Sequence, residues 1–301
     1  MKKILTGVKP TGVSMHLGNL VGALLPLKRI LAGNDTAIFI ADLHALTSVK
    51  NGEKLREQSL EVAIEYLSIF GDESITYFRQ SDIRDITKLM WILANVTPYS
   101  LMLRAHSFKD AEAKNADINM GVFNYPILMA ADIIGYDIDA VPVGRDQLQH
   151  LEMTRDIARS FNKTYGQDVF KEPEAITSDE FDVLPGIDGR KMSKSYDNFI
   201  GIFDDENLLK KRVMSIVTDS RGVDEKKDPD TCNIFALVKA FGTKEEEKIL
   251  RGKYLQENSG FGYGHAKLYL LDILTRYTAP YRERREKFLQ NPEYIEEKLR
   301  A

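Results

Sequence analysis

The sequence has a single cysteine, Cys232, and no long apolar run. One cysteine cannot form a disulfide within the chain, and it cannot supply a four-cysteine zinc or iron–sulfur site. No apolar run approaches the roughly 20 residues that a helix needs to cross a bilayer, so no membrane segment is expected. The start of the chain reaches glycine, proline and threonine before a long apolar stretch develops. This is unlike a signal peptide and predicts a cytoplasmic protein.

The chain also lacks a strong excess of charge of either sign. Its 301 residues include 41 Lys plus Arg and 45 Asp plus Glu, which gives a net charge of -4. This balance argues against a protein that coats nucleic acid through bulk charge. No repeat with solenoid spacing and no low-complexity tract is present, so the whole chain is expected to fold, as one large domain or two modest ones.

The first half of the sequence alternates short apolar runs with helical patterns. Each run is bounded by turn residues or followed by an amphipathic segment, which is typical of strands that alternate with helices. This alternation predicts an α/β fold with a parallel sheet and with ligands at the carboxyl ends of its strands. The predicted strands are residues 3–7, 36–41, 75–79 and 140–143.

From about Asp204 the strand signals stop and helical patterns take over. Apolar residues recur there at helical spacing over long segments, which predicts a second, all-helical domain. The predicted helices of this part are residues 206–217, 244–258 and 265–288.

A turn that contains glycine and proline follows the first predicted strand, and the residues His16-Leu17-Gly18-Asn19 lead from it into a helical run that ends at Leu31. Such an arrangement directs backbone N–H groups and the helix dipole at one point, which suits a phosphate. His16 and Asn19 share one face of the first turn and can both donate to phosphate oxygens. Gly18 leaves room for a flat base to approach. A capped turn without a ligand would also explain these residues.

A second motif is the glycine-led loop Asp188-Gly189-Arg190-Lys191-Met192-Ser193-Lys194-Ser195, which carries three cations. Cations on a loop can neutralise the charge that builds on a phosphoryl group during displacement. A solvated surface loop would have a similar composition. The presence of both motifs in one chain is what favours a functional interpretation.

Together, the His-Leu-Gly-Asn and Lys-Met-Ser-Lys-Ser elements resemble the signature motifs of class I aminoacyl-tRNA synthetases. The similarity extends over nearly the whole chain and is closest to the bacterial-type tryptophanyl-tRNA synthetases. It implies a Rossmann-like catalytic domain over residues 1–200, with a dimer-interface insertion at about 80–125, and a helical tRNA anticodon-binding domain over residues 201–301. The further matching stretches are residues 41–47, 125–133, 141–150 and 217–220.

The resemblance implies a ligase that activates L-tryptophan with ATP, releases pyrophosphate and then transfers tryptophan to the 3' end of its tRNA. The ionised carboxylate of tryptophan is already a nucleophile, so no catalytic base is needed. The rate must then come from alignment of the substrates and from stabilisation of negative charge. The resemblance assigns catalysis to His16, Asn19, Lys191 and Lys194, and it implies Mg2+ that is held by ATP rather than by protein ligands.

The same resemblance implies a set of ATP contacts that surround both motifs. Lys9 and Arg145 depart from typical members, which have glutamine and glutamate at these positions, and both changes add positive charge. The implied ATP contacts are Lys9, Pro10, Thr11, His16, Gly18, Asn19, Gly144, Arg145, Asp146, Val183, Lys191, Met192, Ser193, Lys194 and Ser195.

Selection of tryptophan places a specific demand on a site, because an indole offers one N–H donor and no acceptor. The site therefore needs one fixed acceptor inside an apolar slot. Asp132, on a predicted helix that begins near Pro126, can be that acceptor, and Met129 can pack against the ring. An exposed carboxylate and an ordinary core methionine would fit the same spacing. The other tryptophan contacts that the resemblance implies are Tyr125, Gln147, His44, Leu5, Gly7, Val141 and Val143.

The carboxyl-terminal part is more basic than the whole chain, since residues 241–301 contain 12 Lys plus Arg and 10 Asp plus Glu. A basic cluster there is expected to contact the phosphate backbone of tRNA(Trp), although a solvated helix face would look similar. The resemblance also implies a homodimer whose interface includes residues 88–114, which are rich in helix signals and apolar residues. The basic cluster is Arg282, Arg284, Arg285 and Lys287.

Three alternatives remain open at this point. A tyrosine-specific or otherwise altered relative would share both signature motifs. A synthetase-like RNA-binding or regulatory protein without aminoacylation is disfavoured by the intact lysines of residues 191–195 and by the element at residues 16–19. A simple nucleotidyltransferase would not explain residues 125–150 or the helical tail.

Overall fold

The structure is a computed structural model that describes residues 1–10, 15–71, 74–113, 118–144, 147–177 and 184–300. The chain forms two compact units. The first comprises Met1–Gly12, Leu27–Asp179 and Asn291–Ala301, and the second comprises Val13–Pro26 and Glu180–Gln290. The units are interleaved in sequence, whereas the predicted functional domains are consecutive, and the assignment of functions to residues 1–200 and 201–301 stays a prediction.

The first unit contains a sheet of five parallel strands in the order β3-β2-β1-β4-β5. Strands β2 and β3 lie on one side of β1, and β4 and β5 lie on its other side. The strand order therefore reverses between β1 and β4. Ligands of such sheets bind outside the carboxyl ends of the strands at this point. The strands are β1 Lys3–Val8, β2 Asp35–Ile40, β3 Ile75–Arg79, β4 Ala140–Pro142 and β5 Glu174–Ile176.

Helices account for most of the remaining regular structure. A π turn, Leu20–Leu24, joins α1 to α2, and 3-10 turns lie at Gln80–Asp82 and Lys194–Tyr196. The helices are α1 Leu17–Asn19, α2 Leu25–Leu31, α3 Asp42–Ala45, α4 Gly52–Phe70, α5 Ile86–Ala94, α6 Tyr99–Met102, α7 His106–Ala113, α8 Met120–Ile134, α9 Leu148–Tyr165, α10 Glu206–Met214, α11 Asn233–Phe241, α12 Lys244–Leu255, α13 Tyr263–Leu289 and α14 Pro292–Arg300.

The predicted α/β fold with a parallel sheet and a helical carboxyl-terminal part is confirmed. All four predicted strands are present, and β5 is an addition whose three residues, Glu-Ala-Ile, carry no distinctive pattern. From Asp204 to Arg300 the regular structure is entirely helical. No helix among the described residues combines the length and the apolar character needed to span a membrane.

Helix α8 begins earlier than the sequence suggested. The prediction that it starts near Pro126 was wrong, because its cap is Asn119, whose side-chain oxygen accepts from the backbone N–H of Val122 at 3.1 Å. Pro126 lies inside the helix. Proline is common in the first turn of a helix, which is why it resembled a start signal.

The core of the first unit lies between the sheet and helices α5, α8 and α9, and α8 packs against both of the other two. Helix α14 packs against β3 and α4 of the same unit, with Ile295 and Leu299 buried. Arg79, at the end of β3, forms a two-pronged ion pair with Glu296 of α14, with N–O distances of 2.7 and 3.3 Å. The last helix is thus part of the unit that holds the sheet.

The second unit is built around α13, which packs against α10 and α11, while α12 packs against α11. Its buried residues repeat at helical spacing, as in Ile234, Leu237 and Val238 of α11 and Leu270 and Leu274 of α13. Burial of these apolar faces explains why isolated helical patterns in the sequence form a stable unit.

Candidate active site

A cavity of about 360 Å³ lies in the first unit, beside the carboxyl ends of β1 and β4. Its volume suits a small molecule. All nine residues that were predicted to contact tryptophan line this space, which we call the Asp132 cavity. Lys9 and Gly144, predicted as ATP contacts, line it as well. Lining residues that the sequence did not indicate are Thr6, Phe39, Ala41, Ile133 and Pro142.

Asp132 is buried, with 1% of its surface exposed, so it is not the exposed helical carboxylate that the sequence also allowed. Its Oδ2 lies 2.8 Å from Nε2 of His44, and the amide nitrogen of Gln80 lies 2.8 Å from both of its oxygens. Burial raises the pKa of the Asp132 carboxyl, the hydrogen bonds from His44 and Gln80 oppose that rise, and the nearby carboxylate of Asp42 adds to it. The cavity therefore contains a fixed acceptor on an otherwise mostly apolar wall.

Gln80 is a buried partner of Asp132 that the sequence analysis did not single out. It follows β3 directly and is fully buried. Its side-chain oxygen accepts from the backbone N–H groups of Leu43 and His44, at 3.1 and 3.4 Å. The only signal in the sequence was its position, since polar residues that follow a parallel strand lie at the ligand-binding edge of the sheet.

Aromatic rings and a glycine shape the rest of the cavity. The ring of Tyr125 meets the ring of His44 edge-on, with 5.2 Å between centroids, and its hydroxyl lies 3.9 Å from the sulfur of Met129. Gly7 is required for packing, because a Cβ there would lie 2.5 Å from the ring of Phe39. These contacts leave little freedom for the side chains that line the space.

Lys9 follows β1, lines the Asp132 cavity and makes a hydrogen bond to the side chain of Thr47. Its ammonium donates to Oγ1 of Thr47 at 3.0 Å, and the Thr47 hydroxyl in turn donates to the carbonyl of His44. Partial burial lowers the pKa of Lys9. A cation is therefore present at the edge of the Asp132 cavity.

The second unit contains both signature motifs and brings them together. His16 and Asn19 cap each other: Nδ1 of His16 accepts from the backbone N–H of Asn19, and Oδ1 of Asn19 accepts from the backbone N–H of His16, both at 3.2 Å. The backbone N–H of Gly18 lies 3.2 Å from the sulfur of Met192. A Cβ at Gly18 would lie 3.0 Å from the His16 ring, so a side chain there would push against that ring.

The mutual cap determines the chemistry that His16 and Asn19 can offer. Burial, with a further contribution from the charge of Lys194, lowers the pKa of His16 to about 4. The imidazole is therefore neutral at neutral pH, and because Nδ1 accepts, Nε2 carries the proton. The oxygen of Asn19 is used by the cap, so its amide group remains as a donor. Both side chains can thus donate to an anionic ligand, as the sequence predicted.

The Asp188–Asn198 loop is held from within by Asn198, which is buried. The Asn198 oxygen accepts from the backbone N–H of Ser193 at 2.8 Å, and its amide donates to Asp188 Oδ1 at 2.7 Å and to the Lys191 carbonyl at 3.1 Å. The bond from Asn198, together with the ion pair with Arg190, keeps the pKa of Asp188 below its usual value. The backbone of this loop is therefore fixed from inside.

The side chains of the Asp188–Asn198 loop differ in exposure. Met192 is buried, whereas Lys191 and Ser195 are exposed and Ser193 and Lys194 are half-buried. The guanidinium of Arg190 lies over the ring of Tyr196, 4.4 Å from its centroid. The loop is thus more than the solvated surface segment that its composition also allowed.

Four of the predicted ATP contacts cannot be placed. Thr11, Arg145, Asp146 and Val183 lie outside the described residues, and their roles stay predictions. Pro10 is described and buried. Within the described part of the chain, no group of three or more His, Cys, Asp or Glu side chains is arranged to hold a metal ion.

Three of the four residues of the basic cluster on α13 make contacts within the second unit. Arg282 donates to the carbonyl of Asp204 at 3.5 Å and to that of Thr275 at 3.2 Å. The guanidinium groups of Arg284 and Arg285 lie over aromatic rings, at 5.4 and 5.3 Å from the ring centroids. Lys287 is exposed. The contact of this cluster with tRNA stays a prediction.

Comparison with known proteins gives a consistent result. The chain is 45% identical over 300 residues to a tryptophan–tRNA ligase of Fusobacterium nucleatum, a match that covers 99% of this chain and 91% of that protein. It is 43% identical over 298 residues to a tryptophan–tRNA ligase of Campylobacter jejuni, covering 99% and 92% of the two chains.

A solved structure agrees with these relatives. The crystal structure of Campylobacter jejuni tryptophanyl-tRNA synthetase complexed with ADP and tryptophan has a TM-score of 0.90 with this chain at 42% identity, and the match covers 99% of this chain and 92% of that one. The family model of class I tRNA synthetases for tryptophan (W) and tyrosine (Y) matches residues 1–276. The resemblance drawn from the sequence motifs is therefore confirmed, and the chain belongs to the class I tRNA synthetase family that serves tryptophan and tyrosine.

Proposed function

We propose that the protein is a tryptophan–tRNA ligase, which activates L-tryptophan with ATP and transfers it to the 3' end of tRNA(Trp). The observation that carries this proposal is the buried carboxylate of Asp132 on the wall of a largely apolar cavity of about 360 Å³. One fixed acceptor in an apolar slot is what an indole N–H requires. The two relatives described above carry the same activity in their names.

In this proposal tryptophan occupies the Asp132 cavity with its indole N–H on the Asp132 carboxylate. Met129 packs against the indole ring. Tyr125, Gln147 and His44 contact the amino acid, and the remaining predicted contacts form the walls: Leu5, Gly7, Val141 and Val143. Burying a carboxylate costs free energy unless it has hydrogen-bond partners. A bound tryptophan would give Asp132 a further partner, which favours binding.

The activation step joins the tryptophan carboxylate to the α-phosphorus of ATP and breaks the bond from that phosphorus to pyrophosphate. The neutral Nε2–H of His16 and the amide of Asn19 donate to phosphate oxygens, and Lys191 and Lys194 neutralise the charge that develops there. Preformed donors and cations lower the barrier because they need no reorganisation during the reaction. The other proposed ATP contacts in the described residues are Lys9, Pro10, Gly18, Gly144, Met192, Ser193 and Ser195.

ATP is the proposed source of the adenylate, since the solved relative is complexed with ADP and tryptophan. Mg2+ would be held by the phosphate oxygens of ATP, where it supplies further positive charge to the leaving pyrophosphate. The residues of the protein perform the alignment and hydrogen bonding described above. A cytoplasmic location and contact of tRNA with the basic cluster on α13 belong to the same proposal.

We also propose that the active form is a homodimer. Large apolar side chains are exposed along the segment that the sequence predicted as an interface, and Trp91 has 73% of its surface exposed. Several large exposed apolar side chains within one segment are what a protein–protein contact would cover. The group consists of Trp91, Ile92, Tyr99, Leu103 and Met120.

The test is ATP–pyrophosphate exchange with the wild-type protein, measured side by side with tryptophan and with tyrosine, and with the variant Asp132→Ala. We expect exchange with tryptophan alone, and a decrease of about 100-fold in kcat/KM for tryptophan in the variant, because a charge-assisted hydrogen bond is lost. Asp168→Ala, at an exposed aspartate of the same unit, is the matched control and should leave exchange unchanged.

Exchange with tyrosine would assign the protein to the tyrosine-specific branch. No exchange with either amino acid, from a folded protein supplied with Mg2+, would overturn the proposed activity and favour an RNA-binding relative without catalysis.

A further inference from the structure

Gln80 connects two elements that are distant in sequence, the start of α3 and Asp132 on α8. It is fully buried, and its side chain makes hydrogen bonds at both ends of the amide. The oxygen faces the backbone N–H groups of Leu43 and His44, and the nitrogen faces the Asp132 carboxylate. A rotated amide would place oxygen against a carboxylate, so only this orientation satisfies all partners.

Counting acceptor sites on Asp132 shows what this orientation leaves available. A carboxylate has about four lone-pair sites, two on each oxygen. Oδ2 accepts from Nε2 of His44 and from the amide of Gln80, whereas Gln80 is the one donor to Oδ1 among the described residues. Because an ionised carboxylate only accepts, Nε2 of His44 is the donor in its pair. One lone-pair site, on Oδ1, remains for a ligand.

The neighbouring residue of the same 3-10 turn supports the arrangement. Ser81 donates from its backbone N–H and its hydroxyl to Asp42, the second buried carboxylate, at 3.0 and 2.5 Å. Asp42 also accepts from the backbone N–H of Leu43 at 3.0 Å. Consecutive residues of one turn, Gln80 and Ser81, thus donate to two buried carboxylates, and the bonds of Ser81 help to hold the turn that carries Gln80.

We propose that Gln80 is a positioning residue for amino-acid selection, which holds the Asp132 carboxylate so that one lone pair of Oδ1 meets the indole N–H of tryptophan. This inference rests on the proposed function. Gln80 does not line the cavity. In this proposal it affects selectivity by fixing the direction in which the Asp132 acceptor points.

The test compares two substitutions of Gln80 in the full chain by tryptophan-dependent exchange. Gln80→Met keeps the size of the side chain and removes its donors. We expect KM for tryptophan to rise about tenfold, because the acceptor is no longer held, while kcat and KM for ATP change less than about threefold. Tyr77→Phe is the matched control, since it removes a side-chain hydrogen bond, to the carbonyl of Gly71, from the strand that precedes Gln80.

The pH dependence of KM for tryptophan distinguishes a positioning role of Gln80 from a loss of protein stability. The titratable groups coupled electrostatically to Asp132 are His44, Asp42 and Tyr136, which lies two residues beyond the end of α8. In Gln80→Met, the pKa of Asp132 rises further because a hydrogen bond to its ionised form is lost. KM for tryptophan should therefore increase as the pH is lowered, more than in the wild type.

Gln80→Glu should show the opposite dependence. It places a second carboxylate against Asp132, so that KM is raised most at neutral pH and falls as the pH is lowered, when a shared proton restores one hydrogen bond. Opposite pH dependences of KM for tryptophan in the two variants support the proposal, because loss of a purely structural residue would not make KM change with pH in opposite directions. If Gln80→Met does not fold, the direction in which KM for tryptophan changes with pH in Gln80→Glu tests the proposal by itself.

Unchanged KM for tryptophan in Gln80→Met, or equal pH profiles in both variants and the wild type, would overturn the inference while the proposed function stands. Absence of exchange in the wild type would overturn the proposed function, and this inference with it.

Discussion

The Asp132 cavity and the Asp188–Asn198 loop use buried hydrogen bonds for different purposes. In the cavity the functional group itself is buried, and Asp132 is held by His44 and Gln80. In the loop the buried group is Asn198, which holds backbone, while the lysines of the loop remain exposed or half-buried.

The difference follows from the task that each region is proposed to perform. Selection between similar side chains requires an acceptor in one fixed place, because an unmatched polar group in a buried site is costly. Neutralising phosphate charge requires cations that can reach a ligand, and for this a fixed backbone with extended side chains is sufficient. Substitutions in the cavity should therefore act on KM for tryptophan, and those in the loop on kcat.

The largest effect in the loop is expected from Lys194→Ala. Loss of one preorganised positive charge at the reacting phosphate should lower kcat for exchange about 100-fold, while KM for tryptophan changes less than about threefold. Lys210→Ala, at an exposed lysine on α10 of the same unit, is the control. A rise in KM for tryptophan with kcat preserved would break the distinction between the two regions.

A smaller effect is expected from Asn198→Ala, which leaves the charges of the loop intact. Three hydrogen bonds of the loop are lost, so kcat should fall about tenfold and the free energy of unfolding should fall by about 1 to 3 kcal/mol. Exchange kinetics and urea unfolding measure the two quantities. A reduced free energy of unfolding with unchanged kcat would show that the hydrogen bonds from Asn198 to the loop do not contribute to catalysis.

The smallest effect is expected from the pH dependence of His16. Its pKa is about 4 in the folded protein, below the usual value of 6.5, so the unfolded chain binds more protons between these values. The free energy of unfolding should therefore fall as the pH is lowered from 6.5 towards 4, by no more than about 1 kcal/mol at pH of about 5.5. His16→Gln should remove this part of the dependence.

Urea unfolding of the second unit at several pH values measures this contribution, with His106→Gln, an exposed histidine of the first unit, as the control. An identical slope in His16→Gln and in the wild type would show that His16 is not held neutral by its surroundings.

The sequence was informative wherever the signal is local. Apolar periodicity predicted four of the five strands, and the cap formed by His16 and Asn19 follows from their spacing of three residues. The exceptions have local reasons as well: β5, Glu-Ala-Ile, contains no apolar run, and Pro126 resembles a helix start although Asn119 is the cap.

What the sequence determined by itself is four of the five strands, the helical character of the carboxyl-terminal part and the chemical groups that both motifs carry, because propensity, capping and charge depend on near neighbours. Only the tertiary structure decided that Gln80 and His44 are the partners of Asp132, 52 and 88 residues away along the chain. The physical reason is the parallel order of β3, β2, β1 and β4, which collects the carboxyl ends of distant strands at one edge of the sheet.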